Sequence, residues 1–161
     1  MIKPISNVTL KPLPPDKNGN IFSHIEIDGI HHNISVSDAF LEAAFSYQDK
    51  YILIFVTLEG GCFEELLHIY LLDLYRDKVL DYAIIGNLYS FTYGDVSSIQ
   101  IRADNTIFFK FITADGWLLT LFKQPAKTFP ISFKTLFVVQ RPFSFKRYFS
   151  ITANKTTHLQ R

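Results

Sequence analysis

The chain has one cysteine, one methionine, one tryptophan and seven glycines among its 161 residues. A single thiol excludes an internal disulfide framework and a multi-thiolate metal site, and it suits a reducing compartment. Proline is absent between Asp16 and Gln124, although the chain holds seven. Proline donates no ladder hydrogen bond, so that stretch can form a sheet without interruption. Charged residues make up 19%, below the usual quarter. Long apolar runs are missing too. Tyr51–Val56 and Leu66–Leu72, the latter interrupted by His68, fall well short of the roughly 20 residues of a membrane span. No membrane partner is therefore expected. Met1-Ile2-Lys3-Pro4 leads into no apolar segment, so the start does not read as a signal peptide and a cytoplasmic location is expected.

What the chain does have is apolar and aromatic mass. The hydrophobic fraction is 48% and there are 16 phenylalanines. That is enough for the core of one ordinary domain and argues against disorder. Proline placement divides this single domain, residues 1–161, into a Pro-rich segment 1–20, a body 21–123 and a C-terminal segment 124–161. The body is expected to determine folding, with Trp117 buried between strands.

Turn signals recur along the body. Asp28-Gly29 lies between Phe22–Ile27 and Ile30–Val36, and Asp-Gly tolerates the positive φ of a tight hairpin. Gln48-Asp49-Lys50 separates Leu41–Tyr47 from Tyr51–Thr57, and Asp104-Asn105 separates Ile99–Ala103 from Thr106–Thr113. Asp115-Gly116 leads into Trp117–Lys123. The flanks are rich in residues that fit a pleated surface. Leu41, Ala43, Phe45 and Tyr47 alternate with polar neighbours, as in a half-buried strand. Tyr51–Val56 is apolar on both faces, as in a central strand covered on both sides. A second layer must exist to cover it.

Two segments remain open. Ser37–Tyr47 also fits a short helix with Ser37 as N-cap, and Phe63–Tyr75 fits one through Phe63, Leu67, Tyr70, Leu71 and Leu74. A strand over Leu66–Asp73, with a hairpin around Leu74–Asp77 into Lys78–Ile85, is the preferred reading of the second. The expected fold is mainly β: an antiparallel meander, two-layered and sandwich-like, with room for one short helix.

No catalytic motif stands out, and no catalytic residue, metal or cofactor is expected. His31 and His32 are neighbours, so in a strand they point to opposite faces. His24 could meet one of them across the first hairpin near Glu26, which is a thin ligand set. His68 lies in an apolar run and reads as a core histidine. Cys62 has acidic neighbours, Glu64 and Glu65, which oppose a reactive thiolate. There is no nucleophile elbow and no phosphate-binding glycine loop.

Charge is segregated. Residues 20–100 hold twelve acids and three bases, whereas residues 123–161 hold eight bases and no acid. Such asymmetry points to charged partners, or to a basic tail that neutralises the acidic body. The tail interleaves bases and aromatics from Arg141 to Phe149. Arg141, Lys146, Arg147 and Tyr148 are candidates for binding nucleic acid. The competing reading packs Phe143, Phe145, Tyr148 and Phe149 on the sheet.

The run Glu64-Glu65-Leu66-Leu67-His68-Ile69-Tyr70-Leu71-Leu72-Asp73, followed by Val79-Leu80-Asp81, Gly86 and Tyr89, resembles small bacterial immunity proteins of contact-dependent growth inhibition and other polymorphic toxin systems. The resemblance implies a cytosolic, non-catalytic protein that binds and neutralises a cognate toxin domain. It carries over no residue role. An acidic surface would suit the basic groove of a nuclease toxin. Glu59, Glu64 and Glu65, beside Gly60-Gly61, are the expected partner-binding residues. Asp77 is a second candidate, at the opposite end of the strand Leu66–Asp73.

Overall fold

Thirteen strands build the structure, a computed structural model that describes residues 1–37, 40–57, 64–88, 96–112, 115–127 and 139–154. They are β1 (Ile2–Pro4), β2 (Val8–Pro12), β3 (Phe22–Ile27), β4 (Ile30–Ser37), β5 (Phe40–Tyr47), β6 (Tyr51–Thr57) and β7 (Glu64–Asp73). The chain continues through β8 (Lys78–Leu88), β9 (Ser97–Ala103), β10 (Thr106–Lys110), β11 (Trp117–Lys127), β12 (Val139–Gln140) and β13 (Lys146–Ala153). No helix occurs among the described residues, and none is long and apolar enough to cross a membrane. Both segments that also fitted a helix form strands, Phe40–Tyr47 and Glu64–Asp73, because their apolar residues are shared between two buried faces.

All pairings are antiparallel. The central sheet has the order β1-β5-β6-β7-β8-β12, with β5 to β8 as a meander. An N-terminal sheet, β2-β3-β4, and a C-terminal sheet, β13-β11-β10-β9, complete the fold. The expected hairpins form at the expected turns. Asp28 and Gly29 take φ of 51° and 76°, and Gln48 and Asp49 take 55° and 50°. Positive φ at both central residues matches the right-handed twist of the flanking strands.

The expected sandwich is made by the central and C-terminal sheets. Leu53, Phe55, Leu67, Ile69, Leu71 and Ile85 pack there against Ile107, Phe109, Trp117, Leu119, Phe149 and Ile151. Phe55 meets Phe109 edge to face at 5.1 Å. A third layer extends the expectation of two. Ile52, Ile54, Val56, Tyr70 and Leu72 on the other face of the central sheet pack against Val8, Ile25, Ile27, Ile34 and Val36 of the N-terminal sheet. Alternate residues of β6 thus enter two different cores, which explains a strand apolar on both faces. Trp117 is buried and its indole N–H donates to the Phe111 carbonyl at 3.0 Å.

Three expectations need correction. The division at 123/124 is one of composition alone. β11 runs across it, and Pro125 lies in the irregularity between Leu121 and Ala126, where a ladder donor is not needed. β13 supplies Phe149 and Ile151 to the core, so the tail is part of the same packed unit as the body. The Pro-rich segment 1–20 is likewise built in. Pro4 and Pro12 end β1 and β2, both edge strands that tolerate proline. Finally, Leu41 does not share a face with Ala43, Phe45 and Tyr47. The register shifts between Leu41 and Ala43, and the extra residue, Glu42, sends Leu41 to the opposite core.

Candidate partner-binding site

The two ends of the central sheet differ in charge. At one end lie the Gln48–Lys50 and Leu74–Asp77 turns. Lys3, paired with Ser46, and Lys50, Arg76 and Lys78 all sit there, balanced by Asp49, Asp73 and Asp77, with Lys3 paired to Asp49 and both Lys50 and Arg76 to Asp73. Those are all the lysines and arginines of this sheet and its two turns among the described residues. The opposite end carries Glu42 near the start of β5 and Glu64 and Glu65 at the start of β7, on either side of β6. Glu59 and Cys62 lie outside the described residues.

Glu42 was not singled out from the sequence. As the bulged residue of β5 its side chain is re-aimed to solvent, and its carboxylate accepts a hydrogen bond from the Thr57 hydroxyl at the end of β6. A lone acid breaking an apolar run was the available signal. Thr57 pairs with Leu67, two positions from Glu65, so the register brings Glu42, Glu64 and Glu65 to one end of three adjacent strands.

Asp77 is at the other end. β7 has ten residues and spans roughly 30 Å, so Asp77 cannot join the glutamates in one compact site. It takes φ of 44° in its turn and lies 3.0 Å from the His32 ring nitrogen Nδ1. This contact ties the N-terminal sheet to the central one. His31 faces the other way and meets His24 edge to face at 4.7 Å, as neighbouring strand residues must. No group of three metal-ligating side chains forms among the described residues.

Two of the four candidates for nucleic-acid contact are turned inward. Asp81, on β8, is buried. Its carboxylate lies 2.8 Å from Arg141 Nη2 and accepts from Arg147 Nη1 at 3.3 Å. Backbone N–H groups of Tyr82, at 2.9 Å, and of Tyr148, at 2.7 Å, donate to it as well. Arg147 also donates to the Pro142 carbonyl at 2.6 Å, and Arg141 to the Phe149 carbonyl at 2.7 Å. Burial lowers the Arg141 pKa and Asp81 opposes that shift. Both guanidinium groups are therefore spent inside the protein, so the tail neutralises part of the acidic body. Tyr148 is half-buried and Lys146 is exposed.

His68 is the core histidine expected. It is buried, and Tyr82 and Tyr70 hold their hydroxyls 3.1 and 3.3 Å from its Nδ1. The Tyr70 hydroxyl also accepts the Ser37 N–H at 3.1 Å. A polar cleft of about 560 Å³ opens between Tyr47-Gln48 and Asp104-Asn105, with Lys123 on its wall. Its side chains offer one carboxylate and one ammonium group. No family model matches the chain, and no curated protein or solved structure matches it.

Proposed function

We propose that the chain is a non-catalytic immunity protein that binds a toxin domain through the acidic end of its central sheet. The observation that carries this reading is the uncompensated acidity of one end of that sheet. Glu42, Glu64 and Glu65 stand at one end without a lysine or arginine of the sheet beside them among the described residues, whereas at the other end Lys3, Lys50, Arg76 and Lys78 are matched by Asp49, Asp73 and Asp77. A sheet end of one sign steers a basic partner and brings acidic residues to a groove that would otherwise hold phosphates. Glu59 lies between β6 and β7 in the sequence. The resemblance of the β7–β8 sequence to immunity proteins points in the same direction. Occupancy of the groove is sufficient for protection, and no bond is made or broken.

The test is co-expression with the product of the adjacent reading frame. Protection of the host, together with a direct complex of the two purified proteins, is the expected result. Charge reversal in Glu64→Lys/Glu65→Lys slows association and flattens its dependence on salt. A toxic neighbour that the chain neither binds nor neutralises overturns the reading. Unchanged association and dissociation rates in a natively folded Glu64→Lys/Glu65→Lys variant remove this end from the interface.

A further inference from the structure

Between β12 and β13 the chain makes a tight, braced excursion. Arg141 and Arg147 flank it and are both fixed on Asp81. The Arg147 guanidinium grips the Pro142 carbonyl, and the Ser144 hydroxyl donates to the Lys146 carbonyl at 2.8 Å and accepts the Lys146 N–H at 3.2 Å. On this brace stand Phe143 and Phe145, 71% and 64% exposed. Their rings pack edge to face on each other at 5.2 Å. Tyr148 and Phe149, by contrast, pack in or against the core. The loop holds two large apolar side chains out in water when the same brace could have carried polar ones. Paired exposed aromatics on a fixed support mark an interaction site.

Lys146, next in the chain after Phe145, is one of a pair of like charges. Lys127, the last residue of β11, is directly opposite Lys146, the first of β13. Both are exposed, and neither forms an ion pair among the described residues. Like charges directly opposite in a ladder are unfavourable, and an anionic partner relieves that repulsion. The site is therefore an apolar tip with a cationic collar.

We infer that this tip, Phe143 and Phe145 with Lys127 and Lys146, is a contact site for the surface of an anionic lipid bilayer. The rings enter the boundary between headgroups and acyl chains, and the lysines reach the headgroup phosphates and carboxylates. The contact is peripheral and needs no spanning segment. Three features favour a bilayer over single-stranded nucleic acid. The two exposed rings stand in one short excursion between β12 and β13, whereas nucleic-acid sites track the backbone along a groove. The rings cover one another edge to face, which leaves no two parallel platforms. The arginines, which could fork onto phosphates, are held by Asp81, and only point-charge lysines remain.

Co-sedimentation of the full chain with vesicles tests the site. Vesicles of phosphatidylcholine with about 30 mol% phosphatidylserine are expected to bind the chain at low salt, and pure phosphatidylcholine vesicles much less. Phe143→Ala/Phe145→Ala is expected to reduce binding about tenfold or more, because the inserted apolar area is lost. Lys127→Gln/Lys146→Gln is expected to abolish the preference for anionic vesicles. Tyr75→Ala, at an 81% exposed aromatic on a different turn, is expected to change nothing. A Phe143→Trp variant gives a second readout. Its emission is expected to shift to the blue on adding anionic vesicles, against the constant signal of buried Trp117. No binding to anionic vesicles, or equal loss in Tyr75→Ala, overturns the inference. Binding of a single-stranded oligothymidylate that falls in Phe143→Ala/Phe145→Ala, without vesicle binding, overturns it in favour of nucleic acid.

Discussion

Arg147 on β13 donates to Asp81 on β8 at 3.3 Å across 66 residues of sequence, joining the C-terminal sheet to the central one. The same carboxylate takes Arg141 and the Tyr148 N–H. One buried acid therefore fixes the last strand, the loop before it and the layer beneath.

Removing that acid strands two guanidinium groups in a largely dry site. Asp81→Ala is expected to lower stability by about 3–5 kcal/mol, the usual loss when one partner of a buried ion pair is deleted. The triple variant Asp81→Leu/Arg141→Leu/Arg147→Met is expected to recover most of it, because no charge is left unpaired. Urea unfolding of the three proteins measures both. A triple variant as unstable as Asp81→Ala would show that packing, and not the orphaned charge, dominates.

Gly116 allows no side chain. Its φ is 74°, and a Cβ there would lie 2.7 Å from both the Phe108 ring and the Phe109 carbonyl oxygen. The ring can turn, but the carbonyl belongs to the β10 backbone. Gly116→Ala is expected to cost on the order of 2 kcal/mol or more, combining left-handed strain with the clash. The fall in thermal midpoint against wild type reads it directly.

The two tyrosines on His68 differ in what they leave behind. Tyr82→Phe removes one hydroxyl from Nδ1 while Tyr70 still reaches it. Tyr70→Phe also strips the acceptor from the Ser37 N–H. The expected losses are about 1 kcal/mol for Tyr82→Phe and about 1–3 kcal/mol for Tyr70→Phe, because an unmade buried bond costs more than a shared one. Equal losses in chemical denaturation would deny the Ser37 contact its part.

Trp117 is expected to emit at short wavelength, since it is 5% exposed. Trp117→Ala should cost about 3–5 kcal/mol through the cavity it leaves between the sheets. Trp117→Phe should cost less, roughly the value of the hydrogen bond to the Phe111 carbonyl together with a smaller void. An emission maximum like that of free tryptophan would refute the placement.

The sequence by itself determined most strands of the stretch 21–123 and their turns, but not β1, β2, β12 or β13. Asp28-Gly29, Gln48-Asp49 and Asp115-Gly116 mark chain reversals through local backbone preference, and Tyr51–Val56 announces its own central position through two apolar faces. These properties lie within a few consecutive residues, where period and turn chemistry act. The opposite placement of Glu64-Glu65 and Asp77 was legible for the same reason, since it follows from strand length. Only the tertiary structure decided which acid meets which base. Arg141 and Arg147 look like a nucleic-acid surface until the fold brings Asp81 to them from far along the chain. It also decided that Phe149 is core and Phe143 is not, though both sit in one aromatic run, because burial depends on what the opposing sheet covers. The bulge at Glu42 is of the same kind. An extra residue is set by the register of two paired strands, and no single strand's pattern contains it.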